Sequence, residues 1–190
     1  MTGTGEALGS LRDDPRLRDG WVHAEEVPPR DPTYGTVEPP FPRQIREFID
    51  SRGIRLYTHQ CEAVQAFREG KNIVVTTPTA SGKTLAFSLP VFERLIAQPD
   101  STFLFLYPTK ALTRDQHGAL RALEEGFSTG TVSAVYDGDT PVSARARIRQ
   151  EARIVLSNPY ELHHVLSWHH QWSRFFSGLS AVVIDEAHRY

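Results

Sequence analysis

A short loop ending in Gly82-Lys83-Thr84 lies between an apolar run and a helical pattern. Its spacing is that of a phosphate-binding loop in which Thr77 replaces the first glycine. Such a loop needs backbone N–H groups at a helix start, a lysine for the terminal phosphates and a hydroxyl for Mg²⁺. We expect Lys83 and Thr84 to serve these last two roles, with further phosphate contacts from Thr79, Ala80, Ser81 and Gly82. An ordinary turn before a helix is the alternative.

Two carboxylates, Asp185 and Glu186, directly follow the apolar run Val182-Val183-Ile184. In open α/β sheets, ligands bind at the carboxyl ends of the strands. Asp185 is suited to hold Mg²⁺, and Glu186 is suited to orient and deprotonate an attacking water. A solvated strand end with two surface acids is the alternative, and a phosphate loop in the same sheet disfavours it.

Gln60 lies upstream of the loop, at the start of a helical pattern. A glutamine amide offers a donor and an acceptor, which complement N7 and N6 of adenine. We therefore expect Gln60 to select ATP over GTP. A surface glutamine at a helix start explains the residue equally well when it is considered alone.

Two further segments each follow an apolar run and open a helical pattern, a position at which free N–H groups can bind backbone phosphates. They contain the candidate nucleic-acid contacts Pro108, Thr109, Lys110, Ser157, Asn158 and Pro159. Helix capping by Thr and Ser would use the same residue types and is the alternative. The loop 136–140 carries Asp137 and Asp139, which would repel phosphate, so we expect backbone contacts there at most.

Two other charged or titratable groups favour simpler interpretations. Four basic residues spread around a helical pattern predict a solvated surface helix: Arg145, Arg147, Arg149 and Arg153. Two histidine pairs lack the i, i+4 spacing of helical metal ligands and have no cysteine nearby, which disfavours a zinc site: His163, His164, His169 and His170.

The elements that must position these residues follow an alternating pattern. Five apolar runs predict buried strands at residues 73–76, 103–107, 132–136, 154–156 and 182–184, and helical patterns between them cover residues 85–96, 111–123, 142–150 and 160–168. Two short helices precede the first strand. This repetition predicts an α/β domain with a mainly parallel sheet flanked by helices.

The composition limits the classes of protein. Apolar residues make up 39% of the 190 residues and charged residues 23%, which is typical of a globular chain, and the net charge of −2 excludes a bulk-basic nucleic-acid binder. Cys61 is the single cysteine, so the chain has no internal disulfide. We find no signal peptide or membrane-spanning run and expect a cytoplasmic protein with no membrane partner.

Residues 1–42 are rich in Gly, Pro and charge, and they cannot form a core alone. We expect an N-terminal extension over 1–42, either flexible or wrapped onto the domain over 43–190. Trp21 and Tyr34 leave room for the wrapped arrangement.

The ordered segments YTHQ, TPTASGKT, YPTKAL, SNPYEL and VVIDEAH resemble motifs Q, I, Ia, Ib and II of the superfamily 2 DEAD/DEAH-box helicases. Within that superfamily, the stretch 21–190 resembles the YprA/MrfA-type DNA-repair helicases. The resemblance implies a RecA-like ATP-binding domain that carries ATP and Mg²⁺. It also implies strand contacts at motifs Ia and Ib, and a role for His188 in relaying the nucleotide state, although a surface histidine is as compatible with the sequence.

The resemblance further implies that a second RecA-like domain completes the motor and supplies arginines to the ATP site. We therefore expect the first half of a helicase core that ends after motif II, with single-stranded or tailed DNA as its partner and RNA not excluded. Alone, the chain is expected to be inactive in hydrolysis and unwinding. A stand-alone nucleotide-binding module without motor activity is the alternative.

Overall fold

The computed structural model describes residues 9–11, 13–17, 20, 31–77, 82–130 and 132–189. The chain divides into two compact units, Met1–Pro32 and Thr33–Tyr190. In the first unit, Arg16 pairs with Asp14 at 2.8 Å. The second unit holds the helices and strands considered below. No helix in the described ranges is long and apolar enough to cross a membrane.

The second unit alternates helices and strands, largely as the apolar periodicity predicts. The helices are α1 (Arg43–Ser51), α2 (Thr58–Arg68), α3 (Lys83–Ala97), α4 (Lys110–Phe127), α5 (Val142–Glu151), α6 (Pro159–Ser167) and α7 (Ser173–Ser177); the strands are β1 (Thr102–Leu106), β2 (Ser133–Val135), β3 (Ile154–Ser157) and β4 (Leu179–Ile184). Short 3₁₀ turns at His169–Trp172 and Ala187–Arg189 complete the order. Gly53 and Gly70, both with positive φ, follow α1 and α2.

The four strands form one parallel sheet in the order β2-β3-β1-β4. Leu106 on β1 is in register with Ser157 on β3 and with Ile184 on β4. The residues that follow these positions therefore meet at one edge of the sheet, which confirms the predicted parallel α/β architecture.

The sheet has a hydrophobic core on each face. Phe103 and Phe105 of β1 pack into a cluster with residues of α1 to α4, such as Leu89 and Phe92. Leu104 and Leu106 point to the opposite face and join a second cluster, which includes Val165, Trp172 and Phe175. Alternation along one strand thus explains why β1 is buried on both sides.

The strand predicted over 73–76 is not formed: this segment has no regular secondary structure and joins no strand of the sheet, and Val74 is 87% exposed. The prediction was wrong because an apolar run becomes a strand only when a neighbouring strand accepts its ladder hydrogen bonds.

Strand β4 also departs from the prediction of burial on both faces. Ala181 and Val183 pack on the core, whereas Val182 and Ile184 are 46% and 51% exposed. Neither core cluster includes Val182 or Ile184, so this face of the strand is left uncovered within the described part of the chain.

Residues 33–42 pack against the following helices. The Gly35 N–H donates to the Leu56 carbonyl at 3.0 Å, the Thr58 N–H donates to the Thr33 carbonyl at 3.0 Å, and Phe41 is buried in the core. This part of the proposed extension is therefore ordered on the domain. The division at residues 42 and 43 stays a prediction, and Trp21 lies outside the described residues.

Candidate nucleotide and nucleic-acid site

The phosphate loop leads into α3 through a left-handed glycine. Gly82 has φ 75° and ψ 29°, and Lys83 is the first residue of the helix. The Lys83 ammonium donates to the Thr77 carbonyl at 2.8 Å, and the Thr84 hydroxyl lies 3.4 Å from Oε1 of Gln116 on α4. Thr79, Ala80 and Ser81 lie outside the described residues. The lysine and the threonine thus stand at a helix start, as the motif requires.

Gln60 connects the start of α2 to the phosphate loop. Its side-chain oxygen accepts from the Tyr57 N–H at 2.8 Å, and its amide nitrogen donates to the Gly82 carbonyl at 2.9 Å. The residue is only 2% exposed, so it is not the surface glutamine of the alternative interpretation. One N–H and one lone pair of the amide remain for a ligand.

A stack of planar side chains adjoins this glutamine. The Tyr34 and Tyr57 rings stack at 5.3 Å between centroids, the His59 ring stacks on Tyr57 at 5.7 Å, and the Arg55 guanidinium lies 3.8 Å from the Tyr34 centroid. These residues were missed by the motif analysis. Tyr57 and His59 flank Thr58 within the YTHQ segment, but Tyr34 reaches the stack from 23 residues upstream of Tyr57, so spacing alone could not find it.

The predicted acidic pair lies at the carboxyl end of β4. The Asp185 N–H donates to the Leu106 carbonyl at 3.0 Å, which fixes the pair beside the end of β1. Asp185 Oδ1 accepts from the Glu186 N–H at 3.0 Å, and Glu186 has a positive φ of 51°. Glu186 Oε2 is 3.5 Å from Nδ1 of His188. The pair is partly exposed and is held by its own backbone.

The side chains proposed to bind a nucleic-acid strand already have partners. The Thr109 hydroxyl accepts from the Leu112 N–H at 3.3 Å, and Asn158 Oδ1 accepts from the Glu161 N–H at 3.0 Å; both contacts are helix caps. The buried Ser157 hydroxyl donates to the Tyr136 carbonyl at 2.7 Å. The capping of the alternative interpretation is therefore present for Thr109, whereas Asn158 takes the place of Ser157 as the second cap, and phosphate contacts at this edge stay a prediction.

Lys110 and Arg114, one turn apart on α4, face the loop after β2. The Lys110 ammonium lies 2.7 Å from Asp139 Oδ1, and an Arg114 nitrogen lies 2.6 Å from Asp139 Oδ2. The hydrogen bond from Lys110, with that from Arg114, holds the pKa of Asp139 below its usual range, and Asp139 raises the pKa of Lys110. A lysine expected to contact phosphate thus has a carboxylate as its partner.

Residues 57–190 match the model of the DEAD/DEAH box helicase family. The chain belongs to this family. It is 36% identical over 187 residues to "Uncharacterized ATP-dependent helicase YprA" of Bacillus subtilis (strain 168), which covers 97% of the chain and 25% of the relative. It is 39% identical over 137 residues to "ATP-dependent helicase HRQ1" of Saccharomyces cerevisiae, covering 70% of the chain and 13% of the relative.

The structures agree with the sequences. The crystal structure of the helicase MrfA bound to DNA and AMPPNP superposes with a TM-score of 0.82 at 38% identity, over 85% of this chain and 23% of that chain. The helicase domain described here thus has the RecA-like fold predicted from its motifs. It spans about a quarter of the length of YprA.

The arginines of the helicase domain lie largely as predicted, on a surface helix: no residue of α5 is buried. Arg145 is the most constrained of them: it donates to the carbonyls of Thr140 and Asp137 at 3.1 and 3.0 Å, contacts Glu161 at 3.4 Å and lies over the Tyr136 ring. Arg149 approaches the Tyr136 hydroxyl, and Arg153 pairs with Asp100 at 2.9 Å. The prediction of a solvated helix is therefore confirmed, and the specific contacts of Arg145 with the loop after β2 and with α6 are what it did not foresee.

The four histidines lie on α6 and the following 3₁₀ turn of the helicase domain. His163 and His164 are exposed, and their rings are 6.1 Å apart; the rings of His169 and His170 are 6.2 Å apart. Across the described ranges, no group of three or more His, Cys, Asp or Glu side chains is placed to hold a metal ion.

Proposed function

We propose that this chain is the ATP- and nucleic-acid-binding first half of a superfamily 2 DNA helicase. In the complete protein it would couple ATP hydrolysis to translocation and unwinding, in DNA repair as its resemblance to the YprA/MrfA-type helicases implies. The observation that carries the proposal is the hydrogen bond from Gln60 to Gly82, in a chain whose family is established. This bond links the helix proposed to recognise adenine to the loop proposed to hold the phosphates.

Lys83 is proposed to exchange its Thr77 carbonyl partner for the β and γ phosphates, because a charged acceptor forms the stronger hydrogen bond. Thr84 and Asp185 offer a hydroxyl and a carboxylate, the hard oxygen ligands that Mg²⁺ prefers, and both residues are partly accessible. Mg²⁺, when bound there, would neutralise charge on the phosphates.

Glu186 is proposed as the general base for the attacking water. Its carboxylate is partly exposed and is within 3.5 Å of His188. That contact gives His188 a direct connection to the catalytic group, which supports its proposed role in relaying nucleotide state to a facing domain.

The adenine ring is proposed to lie against the planar stack that contains Tyr34 and Tyr57. Tyr57 adjoins Gly82, since a Cβ placed on that glycine would lie 3.9 Å from the tyrosine ring. The remaining N–H and lone pair of Gln60 would then discriminate adenine from guanine.

The strand is proposed to cross the carboxyl edge of the sheet at the starts of α4 and α6, where Pro108, Thr109, Lys110, Ser157, Asn158 and Pro159 lie. Backbone contacts of this kind read no sequence. DNA is favoured as the substrate, because MrfA was crystallised with DNA and the chain resembles it at 38% identity. A second RecA-like domain is the expected partner, and a DNA substrate places the protein inside the cell.

Binding of a fluorescent ATP analogue tests the nucleotide site. Lys83→Ala should weaken binding by roughly 10- to 100-fold, because one charge-assisted hydrogen bond is lost. Lys71→Ala is the matched control, since Lys71 is an exposed lysine paired with Glu69 before the loop. Equal affinities of the two variants would contradict the phosphate-loop assignment.

Hydrolysis tests the motor. In the full-length protein, Glu186→Gln should retain ATP binding and lose DNA-stimulated turnover, because an amide cannot accept the proton of water. Loss of binding and turnover together would indicate a structural role for Glu186. ATP binding without any DNA-stimulated turnover in the unaltered full-length protein would instead favour the nucleotide-binding module.

A further inference from the structure

The Asp139 carboxylate bridges two cations at the edge where the strand is proposed to bind. One oxygen pairs with Lys110 at 2.7 Å and the other with Arg114 at 2.6 Å. The two cations stand at positions i and i+4 of α4, in its first two turns, so they share one face of the helix. We call this arrangement the Asp139 bridge.

A carboxylate that bridges two cations presents the same pattern of charge as a phosphodiester, which also offers two non-bridging anionic oxygens. The guanidinium of Arg114 is the group best matched to such a pair, and an ammonium adds a point charge. The motif analysis assigned no role to Arg114.

We propose that Lys110 and Arg114 form a phosphodiester-binding site for the nucleic-acid strand, and that Asp139 occupies this site until the strand displaces it. The inference rests on the proposed function, because it assumes that a strand reaches this edge. Asp139 thereby sets the affinity for the strand: each phosphate that binds must compete with a carboxylate that belongs to the protein itself.

Replacement of the Asp139 carboxylate by a phosphate of the strand requires only a side-chain movement. The loop backbone is held by bonds that do not involve the Asp139 carboxylate: the Thr140 hydroxyl accepts from the Asp137 N–H at 2.9 Å, and Asp137 Oδ1 accepts from the Asp139 N–H at 2.9 Å. Asp137 is buried, whereas the side chains of Lys110, Arg114 and Asp139 are about half exposed. Exposed ion pairs are weak, so the bridge opens readily.

Asp137 keeps Arg114 on this face when the bridge opens. Its Oδ2 atom is buried without a hydrogen-bond donor and lies 3.8 Å from the nearest Arg114 nitrogen. An arginine that loses Asp139 therefore still has a carboxylate beside it. The site remains formed while one anion replaces another.

Fluorescence anisotropy with a labelled single-stranded oligonucleotide, measured over a series of salt concentrations, tests the proposal. Asp139→Asn should bind the strand roughly three- to tenfold more tightly at low salt, because phosphate no longer competes with a carboxylate. Its log–log slope against salt concentration should stay close to that of the wild type, because both variants make the same phosphate contacts once the strand is bound.

Glu125→Gln is the matched control. It removes one negative charge from α4, the helix that carries Lys110 and Arg114. Glu125 pairs with Arg121 at 3.5 Å, several turns from the Asp139 bridge. A general charge effect would change both variants equally and would overturn the proposal. We expect a change of twofold or less in Glu125→Gln.

Arg114→Ala completes the design. It should weaken strand binding in the wild-type background and should abolish most of the gain in the Asp139→Asn background. Strand binding by the wild type with no response to Asp139→Asn would contradict the site but leave the proposed function standing. Absence of strand binding in every variant would contradict both.

Discussion

A methyl group added at Gly82 would collide with the glutamine that links α2 to the phosphate loop. The Cβ of Gly82→Ala would lie 2.5 Å from Nε2 of Gln60, closer than real Cβ contacts allow. The glycine also has φ 75°, a region that residues with a Cβ avoid. The substitution therefore imposes backbone strain and expels the Gln60 amide.

The backbone strain and the expulsion of the Gln60 amide each lower the free energy of unfolding. A left-handed residue with a Cβ costs about 1 to 2 kcal/mol, and the stiffer unfolded chain offsets about 0.4 to 1 kcal/mol of this. Expulsion of the amide removes its hydrogen bond to the Gly82 carbonyl and leaves that acceptor without its partner, which costs about 1 to 3 kcal/mol more. We expect Gly82→Ala to lower the free energy of unfolding by about 2 to 4 kcal/mol.

Gly70→Ala is the matched control, since Gly70 has φ 72° and a Cβ there would meet no atom within 4 Å. Urea unfolding followed by circular dichroism measures both variants, and an unchanged m-value shows that the difference lies in stability. Measured against Gln60→Ala, Gly82→Ala should cost only about as much as Gly70→Ala does, because the amide that the Cβ would meet is already absent. Equal destabilisation by Gly82→Ala and Gly70→Ala would refute the Gln60 to Gly82 contact.

Two other substitutions test the packing around α4 and α5. Burial lowers the pKa of His117, which lies 3.4 Å from the Ser133 carbonyl. The contribution of the neutral imidazole to stability is therefore present above about pH 6.5 and is lost as the pH falls. His117→Asn should flatten the fall of Tm between pH 7.5 and 5.5, and a slope equal to that of the wild type would contradict the assignment. Arg145→Lys should destabilise the domain by about 2 to 4 kcal/mol in urea, because a lysine cannot reproduce the bonds of the guanidinium, whereas Arg147→Lys on the same helix should change it by less than about 0.5 kcal/mol.

The alternation of apolar runs was sufficient to predict four of the strands and every helix of the domain except α7. The segment 73–76 shows the limit of this reasoning. Its apolar residues match a buried strand, yet pairing depends on a partner that the segment does not specify. Local pattern determines the tendency to form a strand, and tertiary neighbours decide the outcome.

The candidate site was also predictable only where neighbouring residues in the sequence determine the position of a side chain. Lys83, Asp185 and Glu186 could be located from sequence because each follows an apolar run that places it at a helix start or a strand end. The Tyr34 stack and the Arg145 contacts could not, since each joins segments that only the folded chain brings together. That Asp139 repels phosphate stays a prediction, and its two cationic partners could not be inferred from charge alone.

Helix α4 connects the two proposed binding sites physically. Its first residue is Lys110, Arg114 follows one turn later, and Gln116 contacts the Thr84 hydroxyl of the phosphate loop at 3.4 Å. At 1.5 Å per residue, Lys110 and Gln116 are separated by about 9 Å along the helix axis. Through Gln116, Thr84 therefore contacts the helix that carries both cations of the Asp139 bridge. A single stretch, residues 108–116, thus holds both a segment proposed to bind the strand and a contact to the proposed nucleotide loop.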